Sequence, residues 1–181
     1  LKNLFKTFRN HILEEMKLEG VRFPTPPKKP VRVIAEDDLD LIFQTADKMQ
    51  GWRGSMARGM LALYFATGMR PKEGRLMLLK DLDLDRGKVL IRHPKGEGSW
   101  ASAEEVDILR PDVLPFLERY LRERSEWIKE KGLTEAQVPE LFPSIQSGKP
   151  DHFYTEQGFN AIKSKVERIS GVKFRTKDMR S

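Results

Sequence analysis

The 181-residue chain contains no cysteine. That absence excludes disulfides, thiolate zinc sites and a cysteine nucleophile together. Histidine is nearly as scarce: His11, His93 and His152 stand far apart, a poor arrangement for an imidazole metal site. No run approaches the ~18 consecutive apolar residues of a membrane span. The start, Leu1-Lys2-Asn3, has no apolar stretch behind a basic one, so neither a membrane segment nor a signal peptide is expected. Missing cysteine, few Asn and Gln, and many Lys, Arg and Glu fit an intracellular protein with a lean toward heat adaptation.

Enough apolar material remains, 39% of residues against 33% charged, for a packed interior. The length predicts one full domain plus the remnant of another. The net charge of +6 is unevenly spread. Residues 21 to 33 hold Arg22, Lys28, Lys29 and Arg32 with no acid, and residues 158 to 181 hold seven bases against Glu167 and Asp178. These segments carry more than the whole excess, and on one face they would track a phosphate backbone.

Leu4, Phe5, Phe8, Ile12 and Met16 recur at helical spacing, which predicts an amphipathic helix over 3 to 19, ended by Gly20. The stretch 23 to 30 packs four of the eleven prolines into seven residues, a stiff connector that neither continues a helix nor pairs into a sheet. Beyond it, helices are expected over 36 to 49 and 54 to 67, the second as a central core helix. Gly68 reads as its left-handed cap, and Pro71 as the first turn of a helix running to Leu79. Lys88 to Arg92 and Glu105 to Leu109 predict a small antiparallel sheet. Helices follow over 111 to 131, with Leu114, Leu117, Leu121 and Ile128 inward, and over 155 to 169, with Phe159, Ile162, Val166 and Ile169 inward. A last helix starts near Thr176 as N-cap. Fold class: mainly α with a small antiparallel β-sheet. Tyr64, Tyr120 and Tyr154 read as packing residues.

Three short segments carry candidate chemistry. Thr67-Gly-Met-Arg70-Pro-Lys-Glu73 sets an arginine directly after a capping glycine, where both neighbours restrict its backbone. Arg92-His-Pro-Lys95-Gly-Glu-Gly98 puts a lysine in a glycine-flanked turn between two strands. Thr176-Lys177-Asp-Met-Arg180 sets two bases three apart at a helix start, where the dipole favours an anion.

In this order, behind a proline linker, these segments resemble the tyrosine recombinase (phage integrase) family, most of all its archaeal virus and plasmid members, over about residues 21 to 181. The resemblance implies that Arg70 is the first catalytic arginine with Glu73 supporting it. It makes Lys95 the β-hairpin lysine, and Arg180 the second arginine. Lys177 stands where the family usually has histidine; mostly charged at neutral pH with a reference pKa of ~10.4, it would serve as a phosphate donor rather than a base. The family's nucleophilic tyrosine lies after the second box and is absent from this chain. The organisation so implied is a terminal helix of a missing N-terminal core-binding domain (1–20), a linker (21–33) and a catalytic domain cut short at its C-terminus (34–181).

The resemblance further implies site-specific recombination of double-stranded DNA in the prokaryotic cytoplasm through a 3′-phosphotyrosyl intermediate. It implies self-assembly on DNA, a tetramer in the family, with no metal or nucleotide cofactor. Phosphate contacts are expected from Lys28, Lys29, Arg32, Lys173 and Arg175. Two readings stand beside it: a duplex-binding regulatory domain without chemistry, and a basic RNA- or protein-binding scaffold, which lacks an aromatic strand motif for stacked bases.

Overall fold

The computed structural model describes residues 2–21, 33–99, 101–146 and 149–179. The chain divides into two units, Leu1–Val31 and Arg32–Ser181. In the first, α1 (Lys2–Leu18) forms where the apolar period of four predicts it. Its stripe stays open to solvent: Leu4 is 73% and Phe8 65% exposed.

The second unit is built around one helix. α2 (Glu36–Lys48) opens with Glu36, Asp37 and Asp38, charges that suit the positive end of the helix dipole. Its far end lies under the buried guanidinium of Arg58, whose Nη1 donates to the carbonyls of Ala46, Asp47 and Met49. α3 (Gly51–Thr67) supplies that arginine and is buried almost all round, through Met56, Met60, Leu61, Leu63 and Tyr64. After the short α4 (Pro71–Arg75) comes a three-stranded antiparallel sheet, β1 (Leu82–Asp83), β2 (Lys88–Ile91) and β3 (Glu104–Asp107), in the order β1-β2-β3. Val89 and Ile91 of β2 point into the core, as strand alternation requires.

α5 (Leu114–Glu130) then crosses α3 so closely that a Cβ on Gly59 would sit 2.4 Å from the Tyr120 ring. Leu117, Tyr120, Arg124 and Ile128 are its buried face. A hairpin of β4 (Pro143–Gln146) and β5 (Lys149–Phe153) leads to α6 (Glu156–Ser170), capped by the Thr155 hydroxyl and closed at Gly171 with φ +75°.

The fold class agrees with the sequence reading, and several details correct it. The helix expected to run from Pro71 to Leu79 stops at Arg75, and a separate turn of 3-10 helix covers Leu79–Asp81. Ile169 is 53% exposed instead of inward, because the buried stripe of α6 ends at Val166. Thr176 is the first helical residue of a 3-10 turn, Thr176–Met179, rather than its cap. The strands β1, β4 and β5 were not expected: the first is two residues long, and Pro143 and Pro150 argue against a strand.

Candidate functional site

Arg70 owes its position to the junction between α3 and α4. Gly68, with φ +62°, closes α3 by donating its N–H to the Tyr64 carbonyl at 2.9 Å. Only glycine takes that left-handed turn without strain. Tyr64 then ties the far side of the junction, its hydroxyl donating to the Pro71 carbonyl at 2.8 Å. Gly74 permits this, since a Cβ there would meet the Tyr64 ring at 2.5 Å.

Glu73 organises the site. One carboxylate oxygen accepts the backbone N–H of Arg70 at 2.7 Å, and the other pairs with Arg70 Nη1 at 2.8 Å. The second oxygen also accepts the Lys95 backbone N–H at 3.3 Å, across 22 residues of sequence. Burial pushes the Glu73 carboxyl up, but the backbone and guanidinium of Arg70 and the Lys95 N–H outweigh it and hold the acid below its ordinary value. The Glu73 side chain is only 4% exposed, whereas Arg70 keeps 43% of its own exposed.

A carboxyl depressed in the folded state stabilises the fold above its unfolded pKa and loses that contribution as pH falls through the folded value. The wild-type protein is therefore expected to lose stability below about pH 4.5, the ordinary glutamate value. Glu73→Gln should be less stable at neutral pH and lack this part of the acid dependence. Urea unfolding from neutral pH to about pH 3 checks it, and parallel profiles for the two proteins count against Glu73 as the anchor.

The turn bearing Lys95 is held from both ends. At its base, the buried Asp81 accepts the Leu78 N–H at 3.0 Å and grips Arg92, with Nε at 2.7 Å and Nη2 at 2.6 Å. Across the turn, His93 Nδ1 meets the Glu97 carboxylate at 3.0 Å. Arg70, Lys72, Glu73, His93, Lys95 and Glu97 line one cavity of about 340 Å³. The first two expected site segments therefore meet. Sequence reading missed Asp81, Arg92, His93 and Lys72; the only signal for the Asp81–Arg92 pair was opposite charge, which spacing alone does not convert into a contact.

The third segment is described in part. Arg180, and likewise Lys28, Lys29 and Arg32, lie outside the described residues. Lys177 belongs to the 3-10 turn by its backbone. Directly after it, the buried Asp178 accepts the Arg175 N–H at 3.0 Å and pairs with the Arg175 guanidinium at 2.8 Å. Arg175-Thr-Lys-Asp178 thus repeats the arrangement of Arg70-Pro-Lys-Glu73, an acid three residues on holding both backbone and side chain of an arginine. Lys173 is exposed, and its charge helps depress Glu167. Thr176 lines a second cavity of about 390 Å³ floored by Tyr64 and Phe159, and Lys72 borders both cavities.

The tyrosines pack, as expected. Tyr64 and Tyr120 are buried, donate to the carbonyls of Pro71 and Leu141, and are pushed by burial above the ordinary phenol range. Tyr154 is half-buried with its ring 5.5 Å from that of Phe159. Neither buried phenol is placed to attack a phosphate in the Arg70 cavity.

The sequence model of the phage integrase family matches residues 32–181. An integrase/recombinase of Escherichia coli is 29% identical over 115 residues, 63% of this chain and 31% of that protein. Tyrosine recombinase XerC of Bacillus subtilis (strain 168) is 30% identical over 98 residues, 54% of this chain and 32% of that one. The chain thus spans about a third of the length of these curated relatives. The crystal structure of the XerH site-specific recombinase bound to palindromic difH substrate shares the fold, with a TM-score of 0.59 at 18% identity over 88% of this chain and 42% of that one.

Proposed function

The chain belongs to the phage integrase family, and from that premise we propose that it is the catalytic part of a site-specific DNA recombinase, preceded by a core-binding domain of which 1–20 is the last helix and 21–33 the linker. The observation that carries this reading is Glu73, which joins Arg70 and the Lys95 turn in one cavity. A carboxylate so used leaves guanidinium donors of the part-exposed Arg70 beside the exposed Lys95, the equipment for a phosphodiester whose non-bridging oxygens gain charge.

In the reaction, a tyrosine oxygen supplied C-terminal to Arg180 bonds to phosphorus as the bond to the 5′-oxygen breaks. Arg70 and Arg180 take the charge on the non-bridging oxygens, and Lys177 adds a donor. Lys95 gives its proton to the departing oxygen. The products are a 3′-phosphotyrosyl link and a free 5′-hydroxyl, and attack by another 5′-hydroxyl reverses the step. Lys28, Lys29, Arg32 and Lys173 follow the backbone of the duplex. Arg175, committed to Asp178, contributes more to the local turn than to DNA. Assembly is a tetramer on DNA. Lysine at 177 is the feature behind an archaeal mobile element as the source; the relatives named above are bacterial.

The test is a nicked duplex carrying the recombination site, given to a protein extended through the tyrosine. A covalent 3′-adduct is expected, and none from residues 1–181 alone. Tight duplex binding without an adduct supports the regulatory-domain reading instead, and an adduct on Tyr64, Tyr120 or Tyr154 overturns the assignment of the core tyrosines.

For Lys95, loss of rate alone does not separate proton transfer from charge. A substrate with sulfur in place of the bridging 5′-oxygen does, because a thiolate leaves without a proton. Lys95→Ala is expected to slow the ordinary substrate by roughly 10²-fold or more, the scale of general acid catalysis, and to regain most of its rate on the sulfur substrate. Arg70→Ala should stay slow on both. Equal residual defects assign Lys95 to charge alone.

A further inference from the structure

On the opposite side of α6 from the Thr176 cavity, Arg53, Tyr154, Gly158, Ser164, Lys165 and Arg168 border a groove of about 400 Å³. We propose that this groove is a second phosphate-binding site, through which Arg53, Lys165 and Arg168 hold the backbone of duplex DNA away from the candidate active site. The proposal rests on the DNA-binding reading above and adds to it a contact surface made of other residues.

The groove is built by sequence spacing. Gly158, Ala161, Lys165 and Arg168 fall on one stripe of α6, small residues first and cations after, so the helix surface is hollow and then rimmed with charge. Gly158 must be small, because a Cβ there would lie 2.4 Å from the Tyr154 ring. Tyr154 is held in turn by Arg75, whose Nη1 donates to its carbonyl at 3.2 Å. Arg53 enters from the first turn of a different helix, α3.

The charges are free to act. Arg58, Arg92, Arg110, Arg119, Arg124 and Arg175 each sit in an ion pair, whereas Arg53, Lys165 and Arg168 have no acidic partner among the described residues. Glu167, next to Arg168 in sequence, is committed elsewhere: it pairs with Lys163 at 2.8 Å and accepts the Phe174 N–H at 2.9 Å. Among the described residues, no acid lines the groove. Three converging cations without a counter-charge repel one another, and an incoming anion removes that cost.

Duplex phosphate fits better than an acidic protein segment. Protein interfaces deplete charge, lysine especially, at their centres, whereas phosphate contacts draw on Arg, Lys and Ser, the set present here. The site is also remote from the chemistry. At 1.5 Å per residue, α3 separates Arg53 from Thr67 by about 20 Å. A contact at that distance fixes how the duplex lies and takes no part in bond breaking.

The test uses the chain as it is, with a duplex long enough to cover both regions, and reads the affinity against salt. Each lost phosphate contact makes the slope of log affinity on log salt shallower by about 0.9. The triple variant Arg53→Ala/Lys165→Ala/Arg168→Ala is expected to lose about 2 to 3 from the slope, and Arg53→Ala alone close to 0.9. A control, Lys48→Ala/Arg122→Ala/Lys129→Ala, removes the same charge from exposed positions of α2 and α5 and should change the slope by less than one contact's worth. A steep wild-type slope that the triple variant leaves unchanged overturns the proposal and leaves the proposed function standing. An equal loss in the control reduces the groove to bulk charge and also overturns it. Loss of self-association in the triple variant with DNA binding intact gives the groove to a second copy of the chain. A flat slope in the wild type removes the DNA-binding reading itself.

Discussion

Arg70→Ala, in a protein that carries the tyrosine, is expected to lower strand cleavage by at least roughly 10²-fold, the scale for losing one charge-stabilising donor, while duplex affinity changes little. The reason lies in how the side chain is held. Glu73 anchors one guanidinium nitrogen and the backbone N–H of the same residue, so the remaining donors are aimed before substrate arrives. Fixed donors cost no reorganisation as charge develops, whereas solvent or a flexible lysine does. Arg70→Lys is therefore expected to recover little, because an ammonium presents no fork. The variant also deprives a buried carboxylate of its charged partner, although the N–H groups of Arg70 and Lys95 remain. Thermal unfolding alongside single-turnover cleavage separates the two effects: a folded protein with cleavage near that of wild type removes Arg70 from the site. The same loss is expected for Arg180→Ala.

Arg124→Ala should give the largest loss of stability. Arg124 is 1% exposed and donates to the carbonyls of Val138, Glu140 and Leu141 while pairing with Glu135. One side chain thus gathers three carbonyls of the segment between α5 and β4. Truncation leaves the Val138 and Glu140 carbonyls without their side-chain donor, leaves Leu141 with the Tyr120 hydroxyl alone, and leaves Glu135 without its cation. Glu135 is 42% exposed and regains water, so the cost comes from the buried carbonyls, about 1–3 kcal/mol for each one left without a donor, a large fraction of the ~5–15 kcal/mol that holds a domain together. Arg124→Lys should recover only part, since three donors on a single nitrogen do not reach all four partners. Urea unfolding reads the difference, and a change below about 1 kcal/mol contradicts the role.

What could be read from the chain alone was whatever depends on neighbours in sequence. Apolar residues at helical spacing located α2, α3, α5 and α6 because a helix needs one continuous stripe to bury, and Gly68 before Arg70-Pro71 marked a turn that few other residues tolerate. The identities of Arg70, Lys95 and Glu73 as a set came from their order along the chain and its likeness to a family. Packing decided the rest. That Glu73 touches the Lys95 turn, that Asp81 holds Arg92, and that Arg58 and Arg124 are buried as donors to carbonyls are all long-range facts. A charged residue looks solvated in any local reading, and only the surrounding backbone determines whether burying it is compensated. The groove of Arg53, Lys165 and Arg168 belongs to the same class: Arg53 lies more than a hundred residues from the other two, and one site emerges only once α3 and α6 pack side by side.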